Sequence, residues 1–224
     1  MLIWKGTDVS QKGIVVEHTP KISKAKKKIQ TYEIDGRNGF ISIDTNTYEP
    51  FSISIECHFK DTASKDEICE YLDGYGTLSF DGERQYTAVI NNAIEFEKVL
   101  NFKKFPIQFL VNPIAEDIDA TTVSVTTNDF EFNINNTYYK IYPILTIECE
   151  GDVSVTINNQ IFYLNDTDDE YTLDCKNKVI VDSNGDSASS LMLYDFPTLK
   201  KGLNEVSYTG TITNFQIEYR KTYL

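Results

Sequence analysis

Residues 31–59 read TYEIDGRNGFISIDTNTYEPFSISIECHF. Asp35-Gly36-Arg37-Asn38-Gly39 gathers residue types that accept left-handed backbone, which predicts a tight corner. From Phe51 the chain then alternates: Phe51, Ile53, Ile55, Cys57 and Phe59 share one face, and Ser52, Ser54, Glu56 and His58 the other. Successive strand side chains point to opposite faces. The segment is therefore a half-buried antiparallel strand. An enzyme often places a nucleophile, base or metal ligand at such a corner; this one holds an arginine between glycines.

Working outward, Ser64 and Glu67 have the spacing of a capping box, Ile68 and Leu72 lie one turn apart, and Gly74 follows as a stop. These signals predict one short helix over 64–73. Gly76 to Phe80, the turn Asp81-Gly82, and Tyr86 to Ile90 predict a hairpin. Further strands are expected over 93–100 and 106–111, before Asn112-Pro113 breaks the pattern. That break places a domain boundary near 113–120, giving expected domains at 1–115 and 116–224. In the second half Leu145, Ile147 and Cys149 alternate, Gly151-Asp152 reads as a turn into Val153, Val155 and Ile157, and Asn158-Asn159 turns the chain again. More strand-like segments follow around Tyr171, Ile180, Val206 and Ile217. The spacing of these short strands predicts a sandwich.

The 224 residues carry a formal net charge of −13. Residues 1–112 hold 14 Lys+Arg against 16 Asp+Glu (−2), and residues 113–224 hold 7 against 18 (−11). So acidic a surface repels a phosphate backbone, which argues against nucleic acid as a partner. The opening MLIWKGTDVSQKG lacks the apolar run of a signal peptide, and no segment reads as a membrane-crossing helix. Cys57, Cys69, Cys149 and Cys175 show no paired spacing and read as reduced thiols of a cytoplasmic product. Lys21, Lys24, Lys26, Lys27 and Lys28 form a basic run that reads either as a solvated, lysine-blunted edge or as an arm lying on an acidic neighbour.

Nucleophilic catalysis needs a base, and the chain has two histidines, His18 and His58. Cys57 and His58 are adjacent on a strand, so they face opposite ways and form no dyad. Zinc would need more Cys or His at compact spacing. The acidic runs at 166–170 and 182–186 are explained by turn chemistry, and the second lacks the glutamate of a calcium loop. No catalytic residue, metal ligand or cofactor is expected.

The order of these pieces resembles the distal tail (Dit) protein family of long-tailed phages and tail-like particles. The carriers are the Gly-Arg-Asn-Gly turn before "YEPFSISIECHF", the helix and corner "SKDEICEYLDGYGTLSF", the strands "YTAVINNAIEF" and "FPIQFLVNP", then "NINNTYYKIYPILTIECEGDVSVTINNQIF" and the ending "DFPTLKKGLNEVSYTGTITNFQIEYRKTYL". Asn38 stands where the family often has Asp. The resemblance implies a mainly β chain: an N-terminal barrel- or sandwich-like domain with one short helix, and a C-terminal galectin-like sandwich resembling a carbohydrate module. It implies a hexameric ring at the tail tip, with the second domain outside, joining the tail tube to a tail-associated fibre or hub protein and to receptor-binding proteins. The turn Gly36, Arg37, Asn38 and Gly39 is then a subunit contact, and Lys21 to Lys28 an inter-subunit arm. The alternative is a carbohydrate-binding module for cell-surface attachment, with Tyr138, Tyr139 and Tyr194 as stacking platforms.

Overall fold

The computed structural model describes residues 1–36, 38–60 and 64–224, without the side chain of residue 166. The first half runs β1 (Ile3–Trp4), β2 (Thr7–Asp8), β3 (Ile14–Val16), β4 (Lys27–Glu33), β5 (Phe40–Tyr48), β6 (Phe51–Lys60), α1 (Lys65–Leu72), β7 (Tyr75–Ser79), β8 (Arg84–Ile90), β9 (Glu97–Val99) and β10 (Phe102–Asp117). The alternating segment is β6, and its face Ile53, Ile55, Cys57 and Phe59 is buried as the period demands. It pairs antiparallel with β10, setting Ile53 opposite Phe109, Ile55 opposite Ile107 and Cys57 opposite Phe105. The sheet runs β2-β1-β7-β8-β10-β6-β3. Edge-to-face packing of Phe59 on Phe96 and Phe105, both at 5.5 Å, and a tilted contact of Trp4 with Phe109 at 5.0 Å close its core.

α1 has the expected start, with Ser64 Oγ accepting from the Glu67 N–H at 3.4 Å, and Ile68 and Leu72 turned inward. A reciprocal tie binds it to β1: Tyr71 Oη donates to the Trp4 carbonyl (2.8 Å) and Trp4 Nε1 to the Tyr71 carbonyl (3.3 Å).

Two expectations for this half need correction. The strand over 93–100 shrinks to Glu97–Val99, because the Asn92 side chain takes the place of a partner along β10. Its Oδ1 accepts from the Gln108 N–H (2.8 Å) and its Nδ2 donates to the Pro106 carbonyl (3.1 Å). Asn112-Pro113 does not end the strand, since β10 continues to Asp117. A proline removes only the ladder bond that its own N–H would have made.

By contacts the chain divides into two units, Met1–Ala115 with Leu224, and Glu116–Tyr223. The second contains β11 (Thr121–Ser124), β12 (Phe130–Ile134), β13 (Ile144–Ile157), β14 (Gln160–Thr167), β15 (Glu170–Asp174), β16 (Val179–Val181), β17 (Met192–Leu193), β18 (Gly202–Tyr219) and β19 (Thr222–Tyr223). Here Gly151-Asp152 is not a turn between strands. It is a bulge inside β13. Against β18 the register passes from Glu150↔Thr211 to Ser154↔Thr209, so residues 151–153 stand opposite Gly210 alone. Gly151 (φ +76°) and Gly210 (φ +95°) supply the backbone this needs.

The β13–β18 pair is thereby a bent spine. Before the bulge β13 carries β15, and after it β14; one end of β18 carries β12 and the other β11. Leu145 and Ile147 from one arm share a core with Val153, Val155 and Phe162 from the other. The chain is a mainly β protein with one α-helix among the described residues.

A Cβ on Gly210 would lie 2.6 Å from the Asp152 carbonyl oxygen, whereas one on Gly185 (φ +85°) would meet nothing within 4 Å. Both alanine variants strain the backbone; only Gly210→Ala also forces the bulge apart. Chemical denaturation should give a loss of about 1 kcal/mol for Gly185→Ala and about 3 kcal/mol or more for Gly210→Ala. Equal losses would show that the bulge is not a tight joint.

Candidate functional site

His58 sits on the polar face of β6 between β3 and β10, opposite Val15 and Lys104. Lys104 Nζ approaches Glu17 Oε1 at 2.8 Å, while His58 Nδ1 lies 3.4 Å from the same oxygen without hydrogen-bond alignment. Phe102 packs edge-on against the imidazole at 5.3 Å. Cys57 faces the opposite way, and burial pushes its thiol up to about 12, far from the thiolate a nucleophile needs. The arrangement is an ion pair beside a histidine, with no nucleophile aligned to it.

The hydrogen bond from Lys104 holds the Glu17 carboxyl below its ordinary range, against the opposing pull of desolvation. A carboxylate with a lowered folded-state value contributes stability above its unfolded value and loses it as pH falls through the folded one. In Lys104→Met the Glu17 carboxyl should titrate at higher pH, followed by carboxyl carbon NMR. An unmoved titration would remove Lys104 as the cause.

The acidic runs are closed by their own chain. Asp182 Oδ1 accepts from the N–H groups of Asn184 (3.0 Å) and Asp186 (2.8 Å), and Ser183 Oγ donates to Asp169 Oδ2 at 2.5 Å. Among the described residues no group of three or more His, Cys, Asp or Glu side chains is arranged to hold a metal ion. No helix among them is long and apolar enough to cross a membrane.

The three candidate tyrosines do not form one platform. Tyr138 lies beside Tyr223 (6.3 Å) with Lys201 Nζ over its ring at 5.1 Å, whereas Tyr194 pairs with Tyr163 at 5.5 Å. Tyr139 is half-buried. Tyr194 is 74% exposed yet holds φ +76°, a strained setting for a bulky side chain.

The corner and the end of the lysine run, Lys27 and Lys28, belong to one element. β4 and β5 form a two-stranded ribbon that pairs with no other described strand. Gly36 (φ +80°) and Gly39 (φ +91°) lie in its tip, with Asn38 exposed between them. Arg37 lies outside the described residues. At the base, Lys26 pairs with Glu49 at 3.5 Å and Lys27 is hydrogen-bonded to Asp44. Lys21, Lys24 and Lys28 are exposed and make no ion pair among the described residues.

Sequence reasoning missed that both faces of this ribbon carry apolar side chains open to solvent, with Ile29 (53% exposed) and Phe40 (67%) on one and Tyr32, Ile41 and Ile43 on the other. Tyr32↔Ile41 and Gln30↔Ile43 are directly opposed, so these four side chains share a face. Tyr32 and Ile43 are each 51% exposed and Ile41 40%. The available signal was the alternation on both sides of the glycine corner, overshadowed by the cleaner one in β6.

This is the fold of a phage distal tail hub protein. Over its whole length the chain is similar to the crystal structure of SPP1 Dit (gp 19.1), described as a paradigm of the hub adsorption apparatus in phages infecting Gram-positive bacteria. The TM-score is 0.75 at 14% identity, covering 100% of this chain and 98% of that one. No family model matches the chain, and no curated protein matches it in sequence.

Burial gives a chemical check on the thiols. Cys175 is likewise pushed up to about 12, and Cys149 is raised by desolvation, while Cys69 is partly exposed. Alkylation of the native chain should modify Cys69 first and reach the others only on unfolding. Early modification of Cys57 or Cys175 would contradict the core placement.

Proposed function

We propose that this chain is the structural hub of a phage-type tail tip. Its copies close into a hexameric ring that joins the tail tube to the tail-tip fibre and receptor-binding proteins. The observation that carries this reading is the full-length likeness to a hub adsorption protein. The ordered motifs of the sequence support it, and the role requires no catalysis. The near-neutral first half, at −2 against −11 for the remainder, is the better suited to close packing between copies. Such a protein is made in the bacterial cytoplasm and works at the tip of the particle.

The lysine arm takes a narrower form than its five residues imply. Lys26 and Lys27 hold carboxylates of their own ribbon base, which leaves Lys21, Lys24 and Lys28 to reach an acidic neighbour. Each exposed pair contributes only about 0–1 kcal/mol, but a ring repeats the contact at every junction. A sugar-binding role for the second unit is a second reading, favoured by the strained and exposed Tyr194. Glycan binding lost in Tyr194→Ala would support it.

Electron microscopy of the chain mixed with the tube protein of its own tail should reveal closed six-fold rings at tube ends. Free tube ends would contradict the hub role. Lys21→Glu, Lys24→Glu and Lys28→Glu together should weaken the ring most at low salt, where screening is least. Light scattering that finds the same assembly at low salt would remove the strap.

A further inference from the structure

We infer that Asn38, at the tip of the β4–β5 ribbon, is a site of spontaneous deamidation through the Gly39 backbone nitrogen, and that the fold holds Asn184 back from the same reaction. The inference stands apart from the hub reading.

Asparagine followed by glycine occurs twice in the chain, at 38–39 and at 184–185. Such a pair favours cyclisation, because glycine has no side chain to shield its peptide nitrogen. The two copies are closely matched. Both asparagines are exposed. Gly39 holds φ +91° and Gly185 φ +85°, and a Cβ on either would meet nothing within 4 Å. Access and backbone class therefore do not separate them.

Hydrogen bonding does. The Gly185 N–H donates to the Asp182 carbonyl at 3.0 Å, so the nitrogen that must attack is engaged. Around it, Asp182 Oδ1 accepts from the Asn184 and Asp186 N–H groups, and the Asp182 N–H donates to the Asp186 carbonyl at 3.0 Å. This loop must open before Asn184 can turn its side chain onto Gly185. At the ribbon tip, neither the Asn38 nor the Gly39 backbone N–H donates a hydrogen bond among the described residues, and the β4–β5 ladder starts only at Glu33↔Phe40.

In the reaction the Gly39 nitrogen loses its proton to hydroxide and attacks Asn38 Cγ. The N–Cγ bond forms, the Cγ–Nδ2 bond breaks, and Nδ2 takes a proton from water and leaves as ammonia. Water then opens the five-membered succinimide. Attack at Cγ gives an aspartate at position 38; attack at the former main-chain carbonyl gives isoaspartate, with an extra methylene in the backbone. Either product adds one negative charge. Residues 21–48, with six Lys+Arg against three Asp+Glu, then pass from +3 to +2.

The test incubates the full chain at mildly alkaline pH and follows both sites by peptide mass spectrometry, with aspartate and isoaspartate forms separated by chromatography. The Asn38 peptide should convert about tenfold faster than the Asn184 peptide, the rate equivalent of the hydrogen bonds the second loop must release. In urea the two should convert at similar rates. Asp182→Ala, which removes the acceptor of two N–H groups, should speed the Asn184 reaction and leave Asn38 unmoved. Asn38→Gln, whose longer side chain closes the ring slowly, should lose the early acidic form on isoelectric focusing.

Equal native rates, an Asn184 peptide that converts first, or an Asn38 peptide that stays intact would overturn the inference. So would a difference that persists in urea, since it would come from neighbouring residues and not from the fold.

Discussion

A sheet face made of alternating apolar residues must be covered, and that constraint organises this chain. Burying an Ile or Phe side chain contributes about 1.5–3 kcal/mol relative to leaving it in water. β6 and β10 meet the demand by opposing Ile53, Ile55 and Cys57 to Phe109, Ile107 and Phe105, with Trp4, Phe59 and Phe96 sealing the layer. The second unit meets it by bending. The bulge at Gly151 and Gly210 lets one strand pair serve two strand sets, so Leu145 and Val155 share a core. The β4–β5 ribbon carries apolar side chains on both faces, Ile29 and Phe40 on one and Tyr32, Ile41 and Ile43 on the other, and all of them are exposed.

The parts legible in the sequence are those where one local rule has one structural outcome. β6 is such a case, because five apolar residues at period two fit a strand and nothing else in so short a span. α1 is another, since its cap, its apolar pair and Gly74 agree. Gly151-Asp152 was misread because a glycine at positive φ serves a turn and a bulge equally; the partner strand decides, and Gly210 lies far away in sequence. The stretch before Glu97 was misread because the Asn92 amide takes the place of a strand, which no periodicity reports. Pro113 was misread because a missing donor matters only where a partner waits for it.

The candidate site was legible in location more than in chemistry. The glycine corner lies at the tip of the ribbon, whereas of the five lysines only Lys27 and Lys28 lie in β4 and the other three precede it. Charge drew attention to the lysines, yet Lys26 and Lys27 are occupied at the ribbon base. The apolar residues beside them looked ordinary because Ile and Tyr in a strand are usually core. Only burial separates Ile43, exposed, from Ile53, buried, though both sit in strands of similar composition.

The two observations fit one physical design. A flexible arm loses conformational entropy when it docks, about 0.5–1.5 kcal/mol for each side chain immobilised. In this ribbon that ordering is largely complete before any partner arrives. Lys26 with Glu49 and Lys27 with Asp44 clamp the base, a bulge with Asn46 at φ +53° sets the twist, and the corner fixes the tip with Gly36 and Gly39. The lysines inside the clamp therefore hold the ribbon together at its base. Repulsion between chains of −13 opposes every other close approach. Under the proposed hub role, the preformed cationic ribbon is the part of each chain that an acidic neighbour attracts rather than repels.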